Sequence, residues 1–463
     1  MKPKQSPQNT TSTHQLFTAR LDSQINLDHP LCQLAHTIQW QRFDDEYQSL
    51  YCQDNGAPAL PTRLMVGLEY LKYTYNLSDE ALVAQWLENP YWQYFCGETY
   101  FQTSLSLHYT SLGKWRTRIG TERLKLLIEE TIRIALEMKF VTETDLSRTI
   151  VDTTVQEKNI TFPTDAKLLA SCIIKLSKYC LHYNIKLRQS YTRKAKRTLR
   201  KAASYAAARQ FGKLKRCLQD LKNWLGRVLR DIERKRGNKV LSANFMNLID
   251  LANKVLIQER HTPKKIYSLH EPEVQCIGKG KDRIRYEFGQ KAGVVITNKG
   301  NWIINVLDIA NNAYDGHTLS ASLLGAENIT KVSIVEVNVD KGYRGHDYKG
   351  SAVVRLAGSS NNGLSVSELK RKRRRSAIEP VIGHLKSDHR LDRCFLHGRV
   401  GDGVNLVGSA LGFNMRKLLN LFSRGIFSLV LLGIRVFWYY IMLWLLFFIW
   451  RRCSLRHATA SSM

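Results

Sequence analysis

Three acidic residues stand at positions where a carboxylate is unusual. Asp152 interrupts the apolar stretch IVDTTV, Asp340 ends the stretch SIVEVNVD, and Glu379 begins the segment EPVIGHLK. A carboxylate buried at a sheet is costly unless it is paired with a cation. Oxygen ligands favour Mg²⁺ or Mn²⁺, and two such ions about 3.5 to 4 Å apart can catalyse in-line displacement at a phosphodiester. We therefore expect Asp152, Asp340 and Glu379 to be catalytic metal ligands for two Mg²⁺ or Mn²⁺ ions.

The alternative role for each of these carboxylates is structural. The chain has 69 Lys and Arg residues against 40 Asp and Glu residues, which gives a formal net charge of +29. In so basic a protein, a buried carboxylate can equally form a salt bridge with a lysine or an arginine. Both roles stay open for any single residue, whereas two strand-end aspartates together with a glutamate on a helix favour a metal site.

The composition limits the class of protein. A length of 463 residues suggests about three domains at roughly 150 residues each. The hydrophobic content of 44% excludes disordered, collagen-like and low-complexity chains. A net charge so far from zero indicates a polyanionic partner, with nucleic acid considered first and an anionic membrane second.

Most of the excess positive charge lies in one segment. Residues 171–240 contain 21 Lys and Arg residues but only three acidic residues, a net charge of +18 out of +29. A run of charge is often only a solvated face, yet paired helices that follow a phosphate backbone would use this imbalance. We expect this segment to contact nucleic acid, and we name five clustered cations as DNA-binding residues: Lys194, Lys196, Arg197, Arg200 and Lys201.

The spacing of apolar residues predicts the elements that position these side chains. Residues 60–139 have helical spacing, so we expect a flexible tail over 1–20 and an all-α domain over 21–140. The segment 111–120 carries three cations, Lys114, Arg116 and Arg118. The domain is therefore either a DNA-binding head or an ordinary helical domain with a solvated basic helix.

Short β-branched stretches indicate a sheet farther along the chain. RTIVDTTV at 148–155 has the composition of a buried strand. Helical periodicity returns from Phe162 to about Ile257, and a period of two begins at Lys265. The remaining elements predicted are a short helix at 320–325, a strand at 334–339 and a helix from about Pro380. This order predicts an α/β domain over 145–420 with a basic helical insertion at about 160–260.

Five blocks of sequence resemble bacterial transposases of the insertion-sequence-five family, which belong to the DDE group. The blocks are IVDTTVQEKNITFPTDAKLL, CIGKGKDRIRYEFGQK, NAYDGHTL, VDKGYRGHDY and RRRSAIEPVIGHLKSDHR. This resemblance implies a ribonuclease-H-like catalytic core, chemistry with two metal ions, and a homo-oligomer bound to double-stranded DNA at terminal inverted repeats. It also implies that Asp152, Asp340 and Glu379 form the catalytic triad.

The family's signature around the glutamate matches this chain in part. The pattern is Tyr, two residues, Arg, three residues, Glu, six residues, Lys; Arg375, Glu379 and Lys386 fit it, whereas Lys372 stands at the Tyr position. We expect Arg375 and Lys386 to bind DNA phosphates. On a helix, Lys386 would lie almost above Glu379, while Pro380 suggests that Arg375 precedes the helix.

The most apolar stretch lies near the C-terminus. Within 426–450, Arg435 leaves only residues 436–450 uninterrupted, which is short of the roughly 20 residues that a bilayer span needs. We expect residues 421–463 to form a hydrophobic C-terminal helix and tail, with membrane association as the alternative. Nine scattered cysteines without a Cys-x-x-Cys pair indicate reduced thiols. The expected location is the cytoplasm, in association with the nucleoid.

The sequence thus predicts a DNA transposase that binds the terminal inverted repeats of its element and performs metal-dependent strand cleavage and strand transfer. One alternative is a catalytically inactive DNA-binding relative that acts as a repressor. Another is a membrane-bound basic protein built around residues 426–450. Divalent-ion-dependent nicking separates the first two hypotheses, and fractionation with membranes would favour the third.

Overall fold

The computed structural model describes residues 19–52, 58–105, 107–237, 239–259, 261–278 and 285–424. The chain divides into two compact units. The first comprises Met1–Leu146, Trp302–Ile304 and Gly408–Met463, and the second comprises Ser147–Asn301 and Asn305–Val407. The predictions for residues 1–18 and for residues 426–450 lie outside the described part of the chain.

The first unit is built from helices. Two of its helix starts follow from local side-chain capping, because Ser78 accepts from the Ala81 amide and Asn89 accepts from the Trp92 amide. Gly120, with φ of 74°, kinks the longest of these helices. The helices are α1 Leu21–Gln24, α2 Pro30–Thr37, α3 Trp40–Tyr47, α4 Thr62–Thr74, α5 Asp79–Glu88, α6 Pro90–Phe95, α7 Thr110–Glu137 and α8 Glu143–Leu146.

Arg116 lies in the interior of this first unit. Its guanidinium donates to Glu69 at 2.9 and 3.0 Å and to both oxygens of Asp79 at 2.8 Å. Lys72 donates to Asp79 at 2.8 Å, and burial together with the Arg116 charge lowers the pKa of Lys72 to about 8. Grouping Arg116 with the solvated cations of segment 111–120 is therefore wrong, because its charge is needed to neutralise two carboxylates inside the unit.

The second unit contains a seven-stranded sheet in the order β2-β3-β1-β5-β6, in which β4 also pairs with β3 and β7 with β1. Strand β3 is antiparallel to β1 and β2, whereas β5 is parallel to β1 and β6 is parallel to β5. The strands are β1 Arg148–Lys158, β2 Gln275–Gly278, β3 Tyr286–Thr297, β4 Ile303–Ile309, β5 Glu336–Val339, β6 Val353–Leu356 and β7 Arg393–Cys394.

Four helices lie between β1 and β2, in the region where the sequence predicts a helical insertion. They are α9 Asp165–His182, α10 Thr192–Ala207, α11 Phe211–Lys235 and α12 Ala243–Ile257. Their apolar faces share one core, which includes Ile173, Leu176, Leu225 and Phe245. The insertion therefore buries its own apolar surface, while most of its charged residues face outward and Asp231 is buried.

The remaining helices follow the strands that they connect. They are α13 Asp315–Thr330 after β4, α14 Val366–Arg373 after β6, α15 Ile378–Asp388, and a final helix α16 that covers residues 398–424 of the described chain. Helix α13 is longer than the predicted segment 320–325. Strand β5 begins at Glu336 and not at residue 334, since Val335 is 58% exposed.

Strand β3 contains glycines that resemble turn signals in the sequence. A Cβ atom at Gly289 would lie 2.0 Å from the carbonyl oxygen of Gln156 on β1. Glycine is thus required there by the close approach of two paired strands. The strand continues unbroken to Thr297, and the turn comes only after that residue.

Candidate active site

The strand register places two of the predicted carboxylates side by side. Val151 of β1 pairs with Val339 of β5 in the parallel part of the sheet. Asp152 and Asp340 are the next residues on these neighbouring strands. Asp340 follows the last residue of β5, so its side chain lies at the carboxyl end of that strand. A parallel sheet commonly presents functional groups at this edge.

The third carboxylate comes from α15. A turn of 3₁₀ helix, Arg374–Ala377, leads directly into α15, and Glu379 lies in the first turn of that helix. Pro380 is compatible with this position. Backbone N–H groups in the first turn of a helix have no intrahelical acceptor, so the N–H group that proline lacks is not needed there. Arg375 precedes α15, as the sequence suggests.

Arg375 joins the three carboxylates. Its Nη2 atom lies 3.2 Å from Oδ2 of Asp152 and 3.5 Å from Oδ2 of Asp340, and its Nη1 atom lies 3.4 Å from Oε1 of Glu379. The side chains become more exposed from Asp152, at 18%, through Asp340, at 44%, to Glu379, at 62%. The three acids therefore form one cluster that opens to solvent on the Glu379 side.

The electrostatics of Asp152 differ from those of an ordinary surface aspartate. Burial raises the pKa of its carboxyl group, and the nearby charges of Asp340 and Asp315 act in the same direction. The Thr153 amide, which donates to Oδ1 of Asp152 at 2.8 Å, and the Arg375 charge both oppose this rise. The net result is a raised pKa, so the charged form of Asp152 is less favoured here than at the protein surface.

These carboxylates are the groups that could hold a metal ion. Their donor atoms are all oxygens, which suits a hard divalent cation. Across the described ranges, no three His, Cys, Asp or Glu side chains lie close enough together to hold a metal ion as they stand. Arg375 supplies the positive charge between them, and its buried Nε atom has no hydrogen-bond partner. The donor chemistry fits a metal ion, and in this structure the Arg375 guanidinium lies among the three carboxylates.

Lys386 lies in the last turn of α15, seven residues after Glu379 and on the same helix. It is partly buried. This arrangement agrees with the predicted two-turn spacing between the two side chains. Phosphate binding by Lys386 and Arg375 stays a prediction.

The basic run at 370–375 makes contacts within the protein. Arg371 pairs with the buried Glu336 at 2.9 Å, and Arg374 donates to the Asn298 carbonyl at 2.7 Å. Lys372, which stands at the Tyr position of the family signature, donates to the Ser359 carbonyl at 2.8 Å. Much of this run therefore anchors α14 and the following turn to the sheet, a role that its composition did not reveal.

Asp315, the first residue of α13, has a place in the site that no sequence pattern predicted. Its Oδ1 atom accepts from the Thr153 hydroxyl at 3.0 Å and lies 2.6 Å from Nζ of Lys291. Thr153 is the residue that follows Asp152. The sequence block NAYDGHTL contains Asp315, but no local pattern reveals that it contacts β1, 162 residues earlier.

The five predicted DNA-binding cations of the insertion share one helix, α10. Lys194, Lys196, Arg197, Arg200 and Lys201 are all exposed. Ala195, Thr198 and Ala202 are the buried residues of α10 and turn toward the insertion core. The helix thus presents a continuous cationic surface, which we call the α10 basic face.

A membrane-spanning helix was the alternative for the apolar part of the chain. Among the described residues, no helix combines the length and the apolar character needed to cross a bilayer.

Comparisons with known proteins place the chain in a family. The family described as "Transposase domain (DUF772)" matches residues 19–118. The uncharacterized protein ORF8 of the nfe locus of Rhizobium meliloti is 44% identical over 202 residues, which is 44% of this chain and 97% of that protein. No solved structure matches the chain. The chain therefore belongs to a transposase-like family, which it shares with the ORF8 protein.

Proposed function

We propose that this protein is a DNA transposase of the DDE type that cleaves and joins DNA strands at the ends of its own mobile element. The observation that carries the proposal is the meeting of Asp152, Asp340 and Glu379 around one cation. Residues that are 188 and 39 positions apart in the sequence have no structural need to converge on a solvent-open edge of a sheet. A shared catalytic role gives a reason for it.

The sheet supports a ribonuclease-H-like core. Strand β1 stands between an antiparallel neighbour, β3, and a parallel neighbour, β5, and α13 connects the two halves of the sheet. This mixed arrangement, with acids on β1 and at the end of β5, is the one that the resemblance to DDE transposases implies. The large helical insertion between β1 and β2 is compatible with it, because it forms its own core.

The three carboxylates are the groups that would hold two Mg²⁺ or Mn²⁺ ions. When bound, such ions activate the attacking water and stabilise the leaving oxygen of a phosphodiester. The Thr153 amide orients Asp152 through its bond to Oδ1, which leaves Oδ2 turned toward Arg375. Ion binding requires Arg375 to leave its present contacts, and a DNA phosphate at this edge is the partner that its guanidinium would then take.

The α10 basic face is the second part of the proposal. Its five exposed cations neutralise phosphates without reading bases, so it holds DNA of any sequence. Recognition of terminal inverted repeats is then left to other surfaces, and the transposase domain at residues 19–118 is our candidate. We further propose that the protein acts as a homo-oligomer on nucleoid DNA.

A repressor without catalytic activity is the second candidate. The observation that favours it is the same ion cluster, because Arg375 already neutralises part of the acidic charge without any metal. The two candidates share the DNA-binding surface and differ only in chemistry.

The deciding experiment measures nicking of a DNA fragment that carries both flanks of the gene, with Mg²⁺, with Mn²⁺ and with a chelator. A transposase nicks at the element ends only with a divalent ion. The variants Asp152→Asn, Asp340→Asn and Glu379→Gln should each abolish nicking and keep DNA binding, because the ligands act as a set. Asp250→Asn, an exposed position on α12, serves as the matched control. DNA binding without any nicking, whether or not a divalent ion is present, would favour the repressor.

A further inference from the structure

Asp315 links three parts of the candidate site that are distant in sequence. Its Oδ1 atom receives the Thr153 hydroxyl of β1 and the Lys291 ammonium of β3. Its Oδ2 atom faces the turn that follows Asp340, where a Cβ atom on Gly342 would stand 3.2 Å away. One carboxylate therefore bonds to the strand of the first catalytic acid and lies beside the turn after the second.

The hydrogen bonds of Thr153 extend this link from Asp315 to Asp152. Thr153 uses its hydroxyl to reach Asp315 and its amide to reach Oδ1 of Asp152. The hydroxyl bond holds the Thr153 side chain against Asp315 of α13, and the amide bond holds one oxygen of the Asp152 carboxylate. Asp315 therefore fixes β1 at the residue that bonds to the Asp152 carboxylate.

Lys291 explains how a further acid is tolerated beside the other three. Its Nζ atom lies 2.6 Å from Asp315 and also donates to the Ala313 carbonyl at 2.8 Å, and its side chain is only 12% exposed. The ion pair neutralises Asp315, so this residue adds little net charge to the cluster. The contacts of Asp315 therefore suit a role in orienting its neighbours and not a role as a direct ligand of an ion.

From these contacts we propose that Asp315 is a positioning residue for divalent-ion binding: it orients Asp152 through Thr153 and supports the turn after Asp340. The proposal rests on the function proposed above, since it assumes that the carboxylates bind the ions. Groups that orient metal ligands through hydrogen bonds typically change ion affinity or activity by about 10- to 100-fold when they are removed.

The competing explanation is that Asp315 only stabilises the N-terminus of α13, where a negative charge is favourable. Asp165 offers a matched control for this role. It is the first residue of α9 and pairs with Lys265 at 2.9 Å, as Asp315 begins α13 and pairs with Lys291. Asp165 belongs to the helical insertion, and its ion pair with Lys265 is separate from the bond between Thr153 and Asp315.

The experiment measures Mn²⁺ binding to the full-length protein without DNA, by electron paramagnetic resonance, together with the melting temperature in chelator. The variants are Asp315→Asn, Thr153→Val, Thr153→Ser and Asp165→Asn, with Asp152→Asn as the ligand control. We expect Asp315→Asn and Thr153→Val to weaken Mn²⁺ binding by about tenfold or more. Thr153→Ser keeps the hydroxyl and should bind as the wild type does, and so should Asp165→Asn.

The outcomes separate the two levels of the proposal. If Asp315→Asn and Thr153→Val both bind Mn²⁺ with wild-type affinity while Asp152→Asn does not, Asp315 has no positioning role and the proposed function stands. Should Asp315→Asn fail to fold, Thr153→Val alone decides, because valine is isosteric with threonine and suits a strand. If the wild type and Asp152→Asn bind Mn²⁺ equally, the proposed function itself is overturned, and this inference with it.

Discussion

Arg375 donates to Asp152 across 3.2 Å, although 223 residues separate the two in the sequence. The same guanidinium reaches Asp340 and Glu379, so one cation connects the end of β5, the middle of β1 and the start of α15. Salt bridging and metal binding, which the sequence left as alternatives for these acids, thus concern the same atoms. In the structure the three carboxylates share Arg375. The proposed chemistry requires Arg375 to leave these contacts when the ions bind.

The Asp152 carboxyl should make stability depend on pH in a defined direction. Its pKa is raised in the folded state above the unfolded value of about 3.9, chiefly by burial. The folded protein therefore binds the Asp152 proton more tightly than the unfolded chain does. The stability that this proton contributes is lost as the pH rises through the raised pKa. Relative to Asp152→Asn, the wild type should melt progressively lower from pH 4 upward and then level off. Thermal unfolding in chelator measures this, and Asp250→Asn should show no such trend. A difference that changes in the opposite direction would mean that pairing with Arg375 outweighs burial.

Removing the Arg375 charge should favour metal binding. Arg375→Gln leaves three carboxylates without their shared cation, so Mn²⁺ affinity measured without DNA should rise roughly tenfold, a change of about 1.4 kcal/mol. The full Coulomb energy near a protein surface is larger, about 4 kcal/mol at 4 Å, but this site is open to solvent. Arg373→Gln is the control, because Arg373 is a nearby exposed cation. Unchanged Mn²⁺ affinity in Arg375→Gln would show that the arginine does not compete with the ion.

Neutralising the α10 basic face should weaken DNA binding without changing its sequence preference. Replacement of all five cations by glutamine removes up to five phosphate contacts, which would flatten the slope of log affinity against log salt by up to about 4.5. Exchanging lysine for arginine and arginine for lysine at the same positions keeps the charge and should keep the slope. Fluorescence anisotropy over a series of salt concentrations gives the slope for each of the two variants. An unchanged slope in the glutamine variant would identify the face as merely solvated.

Lys386 offers a test of phosphate contact beside the carboxylates. Lys386→Ala should keep the melting temperature and lose cleavage at the element ends, because a cation on the same helix as Glu379 neutralises the approaching backbone. Lys386→Arg retains the charge and should retain cleavage. If Lys386→Ala instead melts early and its folded fraction cleaves normally, Lys386 has a structural role.

The ion network of the first unit should matter for stability alone. Arg116→Met leaves the buried Glu69 and the Asp79 carboxylate without their main counter-ion, and breaking such a buried pair costs about 3–5 kcal/mol. Arg118→Met, at an exposed position of the same helix, should cost far less. Denaturant unfolding of both variants gives the comparison. Wild-type stability in Arg116→Met together with weakened DNA binding would reverse this assignment.

Local patterns in the sequence were sufficient for the elements that carry the candidate site. The β-branched stretch around Asp152, the apolar run before Asp340 and the seven-residue spacing from Glu379 to Lys386 are short-range properties. They predicted β1, the end of β5 and a common helix. The strong charge bias of residues 171–240 likewise predicted exposed cations on α10. Boundaries were less accurate, because the predicted helix at 320–325 is Asp315–Thr330 and the predicted strand at 334–339 begins at Glu336.

Only the tertiary structure decided which partner each charged group takes. Arg116 and Arg118 are two residues apart and identical in type, yet the first is buried between Glu69 and Asp79 and the second is exposed. Asp315 has no local signal that separates it from any aspartate at a helix start, and its importance comes from Thr153 on a distant strand. The physical reason is that Coulomb energy and desolvation depend on distances through space and on burial, and both are set by the packing of segments far apart in the chain.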